Sequence, residues 1–330
     1  MISVLVTGVT TPIGERLVRS LVADTRVAHV LAVALEPEEQ ALPFAQGNRL
    51  TYLSVDLTRT RRVHELLFGP ARDLGVEVVV HLSTHRDPHK RGRRVHMANV
   101  EALRSILDLS HRHPTIRRVV VRSFGVVYRV SMELPVLVTE DHPLNLGGRA
   151  PQYVRDRVEA DLTACARMGL TDAEIVVLRC AEALGPGNGS QLFDYLDAPV
   201  AFRPGGFDPM VNVATVADIV RGLELATHGS GEGVFNIPGW DTLPLSACLR
   251  KWGTSSIPMP GSVIQRLYNL RHLTTGSEFE YGLNHQRMHY GLVLDGSRAR
   301  NVLGYSPENP VDWPVGGPAR RDPDAIRHAR

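Results

Sequence analysis

Six short apolar runs recur along the first 180 residues, and each is continuous rather than alternating in polarity: Ser3–Thr7, Val30–Leu35, Leu50–Val55, Val76–Leu82, Arg118–Ser123 and Ile175–Leu178. A strand with one wet face alternates polar and apolar residues, whereas a strand buried on both faces does not. Helical stripes lie between the runs. Ile13, Leu17, Val18, Leu21 and Val22 form one; Val63, Leu66 and Leu67 begin the next. Val100, Leu103, Ile106 and Leu107 form a third, and Val154, Val158, Leu162 and Cys165 a fourth. Strands alternating with such helices predict an α/β fold, with a doubly wound parallel sheet built from right-handed βαβ units.

After residue 180 the rhythm loosens. Glycine and proline cluster at Gly185-Pro-Gly-Asn-Gly189 and Arg203-Pro-Gly-Gly206, and helices are predicted near Val216–Ala226, Leu245–Trp252 and Ser262–Leu273. The pattern reads as a Rossmann-like domain over 1–180, a smaller α/β lobe over 181–312 interwoven with it, and a mobile tail over 313–330.

Charge and cysteine content narrow the function classes. The net charge of +2 argues against a nucleic-acid or anionic-membrane binder. Cys165, Cys180 and Cys248 stand far apart, so neither a zinc site nor a disulfide framework is signalled. The chain starts on a strand-like run, Ile2 to Val6, and has no apolar stretch of membrane-spanning length. A cytoplasmic protein without an integral membrane segment is the expectation.

The first strand turns into the first helix through Gly8-Val-Thr-Thr-Pro-Ile-Gly14. Such a turn can set backbone N–H groups and a helix N-terminus against a pyrophosphate. In the spacing Gly-x-x-Gly-x-x-Gly the middle glycine falls on Thr11, whose Cβ would crowd the phosphates. The acid expected at the end of the second strand falls on Ala34, with Glu36 two residues further as a substitute. Leu35 offers no cation for a 2′-phosphate, which favours NAD over NADP. Asp56 reads equally well as an adenine contact and as the N-cap of the helix that follows.

These stretches, together with Asp56-Leu57, Val80-His-Leu-Ser83, Asn99-Val100, Val127-Tyr128, Tyr153, Leu178-Arg179 and Gly185-Pro186, resemble an extended short-chain dehydrogenase/reductase of the nucleotide-sugar epimerase and dehydratase type. The similarity runs to about Pro307. It implies an NAD site at Gly8, Thr11, Ile13, Gly14, Glu36, Asp56, Leu57, Leu82 and Asn99. It also implies a catalytic tyrosine at Tyr153, a cation four residues on at Arg157, and a hydroxyl position at Phe124.

The resemblance has gaps. The family's cation is a lysine, and this chain has only two, Lys90 and Lys251, neither in place. Phe124 donates no hydrogen bond, and the adjacent Ser123 would point to the opposite face of its strand. Thr11, Ala34, Phe124, Arg129, Arg157 and Thr215 all depart from the family pattern. Together they imply weak or absent NAD binding and impaired proton transfer, in a protein that acts by ligand binding, sensing or scaffolding. The competing expectation is an active NAD(H)-dependent oxidoreductase, epimerase or dehydratase in which Tyr153 is the acid/base and Arg157 supplies the charge.

Three further features carry expectations. The basic segment His85–His96 reads first as a solvated loop and second as an anion contact; Pro88 and Gly92 argue against a helical metal site at His85, His89 and His96. Arg179, Arg287 and His289 could meet a phosphate of the ligand or pair structurally. The stripe Val263, Ile264, Leu267, Leu270 and Leu273 suits packing on the second lobe, or a membrane-surface or partner helix. The expected ligand is a small molecule, phosphorylated or nucleotide-linked. A homodimer would form through helices near 97–111 and 152–168, as the resemblance implies.

Overall fold

The computed structural model describes residues 1–38, 48–148 and 150–314. Its centre is a seven-stranded sheet. Five strands come first: β1 (Ile2–Thr7), β2 (Val27–Ala34), β3 (Leu50–Ser54), β4 (Val76–His81) and β5 (Arg118–Phe124). The strands Glu174–Cys180 and Gly233–Ile237 complete it. From one edge the order is Gly233–Ile237, Glu174–Cys180, β5, β4, β1, β2, β3. Every neighbouring pair is parallel. The molecule is thus α/β with a doubly wound sheet, and six of its strands overlap the six apolar runs.

The seventh strand was not anticipated. Gly233-Val-Phe-Asn-Ile237 is five residues long, starts on glycine and carries Asn236 as its fourth residue. It read as part of an irregular stretch. Because it pairs with Glu174–Cys180, the sheet takes a strand from beyond residue 180, and the two lobes share chain.

Burial explains the continuous apolar runs. In β1, Val4 and Val6 pack into the core on one face and Leu5 into the core on the other, all fully buried. One face is covered by helix α1 (Pro12–Ala23) and the helix Val216–His228; the other by the helical segments 60–71 and 93–110. The segment 93–110 passes through a π-helical turn at Met97–Glu101, which holds Asn99.

The helix Gln152–Cys165 departs from its expected stripe. Val154 and Val158 are buried, but Leu162 is 41% exposed. The inward face instead carries Tyr153, Asp156, Arg157 and Asp161, all buried. This polar inner face lies beneath the crevice at the carboxyl ends of the strands, where ligands bind in such sheets.

The second lobe closes over a separate aromatic core of Tyr195, Trp252, Tyr268, Phe279 and Tyr281. Its helices include Leu245–Trp252 and Gly261–Thr275. The latter buries Ile264 and Tyr268 and leaves Leu270 and Leu273 exposed. The expected five-residue stripe is therefore not the packing face. Tyr268 outcompetes Leu270 because its ring reaches Phe279 and its hydroxyl accepts the Phe202 N–H at 3.0 Å. Near the last described residue, the Trp313 indole N–H donates to Asp241 at 3.4 Å. The tail expected from 313 onward lies, beyond Pro314, outside the described residues. Among the described residues no helix is long and apolar enough to cross a membrane.

Candidate functional site

The turn after β1 keeps its shape for packing reasons. Gly8 has φ +70°, and a Cβ there would meet the backbone of Leu82 and Ser83 at 2.8–2.9 Å. A Cβ on Gly14 would strike the Gly8 carbonyl oxygen at 2.4 Å. Thr11 is the N-cap of α1. Its hydroxyl accepts the Gly14 N–H and donates to the Gly8 carbonyl, both at 3.0 Å. Beside the crowding expected from its Cβ there is a second effect: the side chain turns in on the turn and consumes a donor.

Pro12 stands at the first helical position and has no N–H. The Glu15 N–H donates to the Thr11 carbonyl at 2.8 Å. A helix N-terminus binds anions through its unpaired N–H groups. With Pro12, Gly14 and Glu15 removed from that set, the Ile13 N–H remains in the first turn. Pro12 escaped the sequence reading, although its lack of a donor is visible in the sequence.

At the adenosine end, the Glu36 carboxylate accepts from the Thr10 hydroxyl at 3.2 Å, and its carbonyl accepts from the Tyr52 hydroxyl at 2.5 Å. This places a carboxylate beside the turn, although Ala34 ends the strand. Asp56 accepts from the Thr58 hydroxyl at 2.6 Å and the Thr58 N–H at 3.1 Å, and those bonds hold its carboxyl below the ordinary range. The following helix starts at Thr60 with Arg59 as N-cap, so Asp56 shapes the turn before the helix rather than capping it. Leu57 and Leu82 are buried core residues. Asn99 accepts the His85 N–H at 2.7 Å and donates to Asp156 at 3.3 Å. It therefore ties the loop after β4 to the helix Gln152–Cys165.

Where the catalytic residues are expected, the side chains stack. The Arg157 guanidinium lies 3.3 Å from the Tyr153 ring centroid, over its face. One terminal nitrogen donates to the Tyr153 carbonyl at 3.0 Å and the other to the His85 carbonyl at 3.2 Å. The Phe124 ring lies 4.7 Å from the guanidiniums of both Arg157 and Arg122. The Tyr153 hydroxyl donates to the Gly189 carbonyl at 3.4 Å. Burial pushes the Tyr153 phenol up from its ordinary value, and Arg157 opposes that by a smaller amount. Ser123 is no substitute for the missing hydroxyl, because it donates to Asp161 at 2.5 Å on the other face of β5.

Tyr153, Phe124 and Arg122 help to wall a cavity of about 80 Å³ between the sheet and the second lobe. Its floor includes Arg122 and Phe124; the second lobe adds Glu182, Tyr195 and Arg287. Glu182 is held by Arg287 and by the Ser190 hydroxyl, each at 2.9 Å. Arg122 and Glu182 escaped the sequence reading. Arg122 is a cation inside a strand that reads Val-Val-Val-Arg-Ser-Phe, and a charge in an otherwise apolar buried strand was the available signal.

The remaining candidates divide. Arg179 is structural: it pairs with Asp161 at 2.7 Å and donates to the Tyr128 hydroxyl at 3.0 Å. His289 lies outside this cavity, beside His285 and Phe207. In the basic segment, Arg86 donates to the Gly187 carbonyl and Arg91 lies 3.5 Å from Glu280, so part of it bridges the lobes. His89 stacks on His272, and His96 pairs with Asp156 at 3.0 Å. His85, His89 and His96 thus have separate surroundings. Thr215 caps the helix Val216–His228 by accepting the Asp218 N–H at 3.1 Å, and Arg129 lines a different cleft.

The model of the NAD dependent epimerase/dehydratase family matches residues 4–196. The chain belongs to that family. Uncharacterized proteins of Mycobacterium bovis and Mycobacterium tuberculosis are 29% identical over 315 residues, covering 92% of this chain and 80% of theirs. Solved structures share the fold at lower identity. UDP-glucuronic acid 4-epimerase from Bacillus cereus, in complex with NAD, superposes with a TM-score of 0.71 at 17% identity, over 99% of both chains. A short-chain dehydrogenase/reductase superfamily protein from Agrobacterium tumefaciens with bound NAD gives 0.69 at 19%, over 99% of this chain and 97% of that one. MoeE5 in complex with UDP-glucuronic acid and NAD gives 0.68 at 20%, over 93% and 94%.

Proposed function

We propose that this family member binds a small ligand in the cavity beside Tyr153 and is impaired in proton transfer there. The observation that carries the reading is the stack itself. Arg157 covers the face of the Tyr153 ring and gives both terminal nitrogens to backbone carbonyls. An acid/base works best with a pKa near the operating pH. A phenol near pKa 10 is ionised to about one part in a thousand at pH 7, and burial moves Tyr153 further from neutrality. Phe124 offers nothing to orient a substrate oxygen.

NAD is the cofactor of the family, and supplies a hydride acceptor when bound. The residues here fit it unevenly. Glu36 and Asp56 suit the adenosine half, while Thr11 and Pro12 deplete the diphosphate donors and Arg157 is committed away from a ribose. The reading is therefore weak NAD binding with no Tyr153-dependent turnover. Neighbours solved with UDP-glucuronic acid make a nucleotide-linked ligand a reasonable class for the wider crevice. A homodimer through the helices near 97–111 and 152–168 suits the exposed Leu162, and sedimentation velocity tests it.

Calorimetry with NAD, NADH, NADP and NADPH, followed by turnover assays of any complex, tests the function. The competing reading, in which Arg157 activates Tyr153, rests on the electrostatic help that Arg157 gives the phenol. Micromolar NAD(H) affinity with a rate abolished in Tyr153→Phe would establish it. Dissociation constants well above micromolar and no turnover are expected.

A further inference from the structure

Arg122 is 8% exposed and lines the cavity, yet its Nε has no hydrogen-bond partner. Among the described residues it forms no ion pair. A buried guanidinium is ordinarily paired, because removing an unpaired charge from water is costly. The neighbouring groups do not meet that need. Glu182 is already held by Arg287 and Ser190. The Cys180 thiol hydrogen-bonds the Arg122 guanidinium, but burial pushes that thiol up to about 11, so it is neutral at physiological pH and offers no counter-charge. Tyr153 is neutral for the same reason. Glu182 is thus the carboxylate that acts on Arg122, and it is shared with Arg287, while Arg157 also feels Asp156.

Most of the remaining lining surface is apolar, with Phe124, Tyr195, Phe279 and Leu292 among it, beside the polar Asn188, Ser190, Asn212 and Asn284. The size is decisive for the ligand's shape. A dry cavity of about 150 Å³ holds a benzene ring, and this one offers about 80 Å³. It admits a short aliphatic group, or the end of a longer molecule, but not a whole sugar nucleotide.

We propose that Arg122 is the anchor of an anion subsite, and that the ligand end seated there is a carboxylate on a short apolar chain. A carboxylate fits because it is planar and matches the guanidinium fork. This deepens the binding reading above and rests on it. It is nonetheless tested separately, since it concerns what is bound and not whether Tyr153 moves a proton.

The probe is butyrate, with butyramide as its neutral counterpart and inorganic phosphate as a second anion. All are titrated against the full chain at constant ionic strength, with the melting temperature as readout. Butyrate raises the melting temperature saturably, and butyramide does not. In Arg122→Leu the apparent butyrate affinity falls at least tenfold. Arg122→Lys, which keeps the charge without the fork, recovers part of it. No butyrate effect on the wild-type chain overturns the proposal, as does an equal effect of butyramide or an unchanged affinity in a folded Arg122→Leu. Phosphate binding without butyrate binding overturns the carboxylate class. The turnover assay of the preceding section is unaffected by any of these outcomes, so the two readings fail separately.

Discussion

Two buried arginine clusters draw on the helix Gln152–Cys165 and the strands beside it, and they are built on opposite terms. Around Arg179 everything is paired. Its guanidinium meets both oxygens of Asp161, the Tyr128 hydroxyl and the Glu140 carbonyl. Asp161 also accepts from Ser123, and Tyr128 donates to Asn236 at 2.6 Å. Around Arg122 and Arg157 the cations face aromatic rings and backbone carbonyls, and Glu182 is already shared by Arg287 and Ser190. A closed network fixes structure. An open one holds unmet charge, which is what a binding site offers a ligand and a proton-transfer site would have to spend on its own tyrosine.

The largest effect should come from breaking the closed cluster. Asp161→Leu strands the Arg179 guanidinium in the interior and is expected to cost about 3–5 kcal/mol, read by denaturant unfolding. Arg122→Leu should behave in the opposite way, with stability unchanged or raised, since it removes a charge that has no partner. Equal destabilisation by the two would erase the distinction between the clusters.

Asp194 sharpens the comparison from the acidic side. It is a half-buried residue whose buried Oδ2 lacks a partner, and desolvation raises the carboxyl to about 7. The folded chain thus holds its proton more tightly than the unfolded chain, whose value is about 4. Stability from this group is full below pH 4 and is lost as pH rises through 7. Asp194→Asn is expected to gain on the order of 2 kcal/mol at pH 8, with the gain vanishing near pH 4. A gain that does not change with pH contradicts the assignment.

The cofactor turn gives a smaller effect. Thr11→Ala removes a helix cap and should cost about 1 kcal/mol. It also frees the Gly14 N–H, so NAD affinity should rise against that loss of stability. A fall in both would mean that Thr11 helps to hold the cofactor. Smallest of all, Tyr153→Phe removes one long hydrogen bond to Gly189 and should change stability by less than about 1 kcal/mol.

Much of this was legible in the sequence. Continuous apolar runs place strands because burial on both faces leaves no room for polar residues, and the Gly8–Gly14 turn is fixed by contacts that only glycine permits. Phe124 and Arg157 were visible as departures because their chemistry differs from what the resemblance implies. The strand Gly233–Ile237 was hidden because an edge strand that carries an asparagine lacks an apolar run. The inward face of the helix Gln152–Cys165 was hidden because its partners, Ser123, Arg179 and Asn99, come from distant segments. Periodicity reports apolar faces, and here the buried face is polar. Arg122 was in plain view, but the pairing it lacks is a property of the fold alone.

The ionisation of the Tyr153 phenol tests the central claim most directly. Carbon-13 NMR of ring-labelled tyrosine, with the Tyr153 signal assigned by its loss in Tyr153→Phe, follows that titration from pH 6 to pH 11. A phenol that stays protonated to pH 10 is the predicted result. A phenol that ionises near neutrality would contradict it, and would show that Arg157 does the work of the missing lysine.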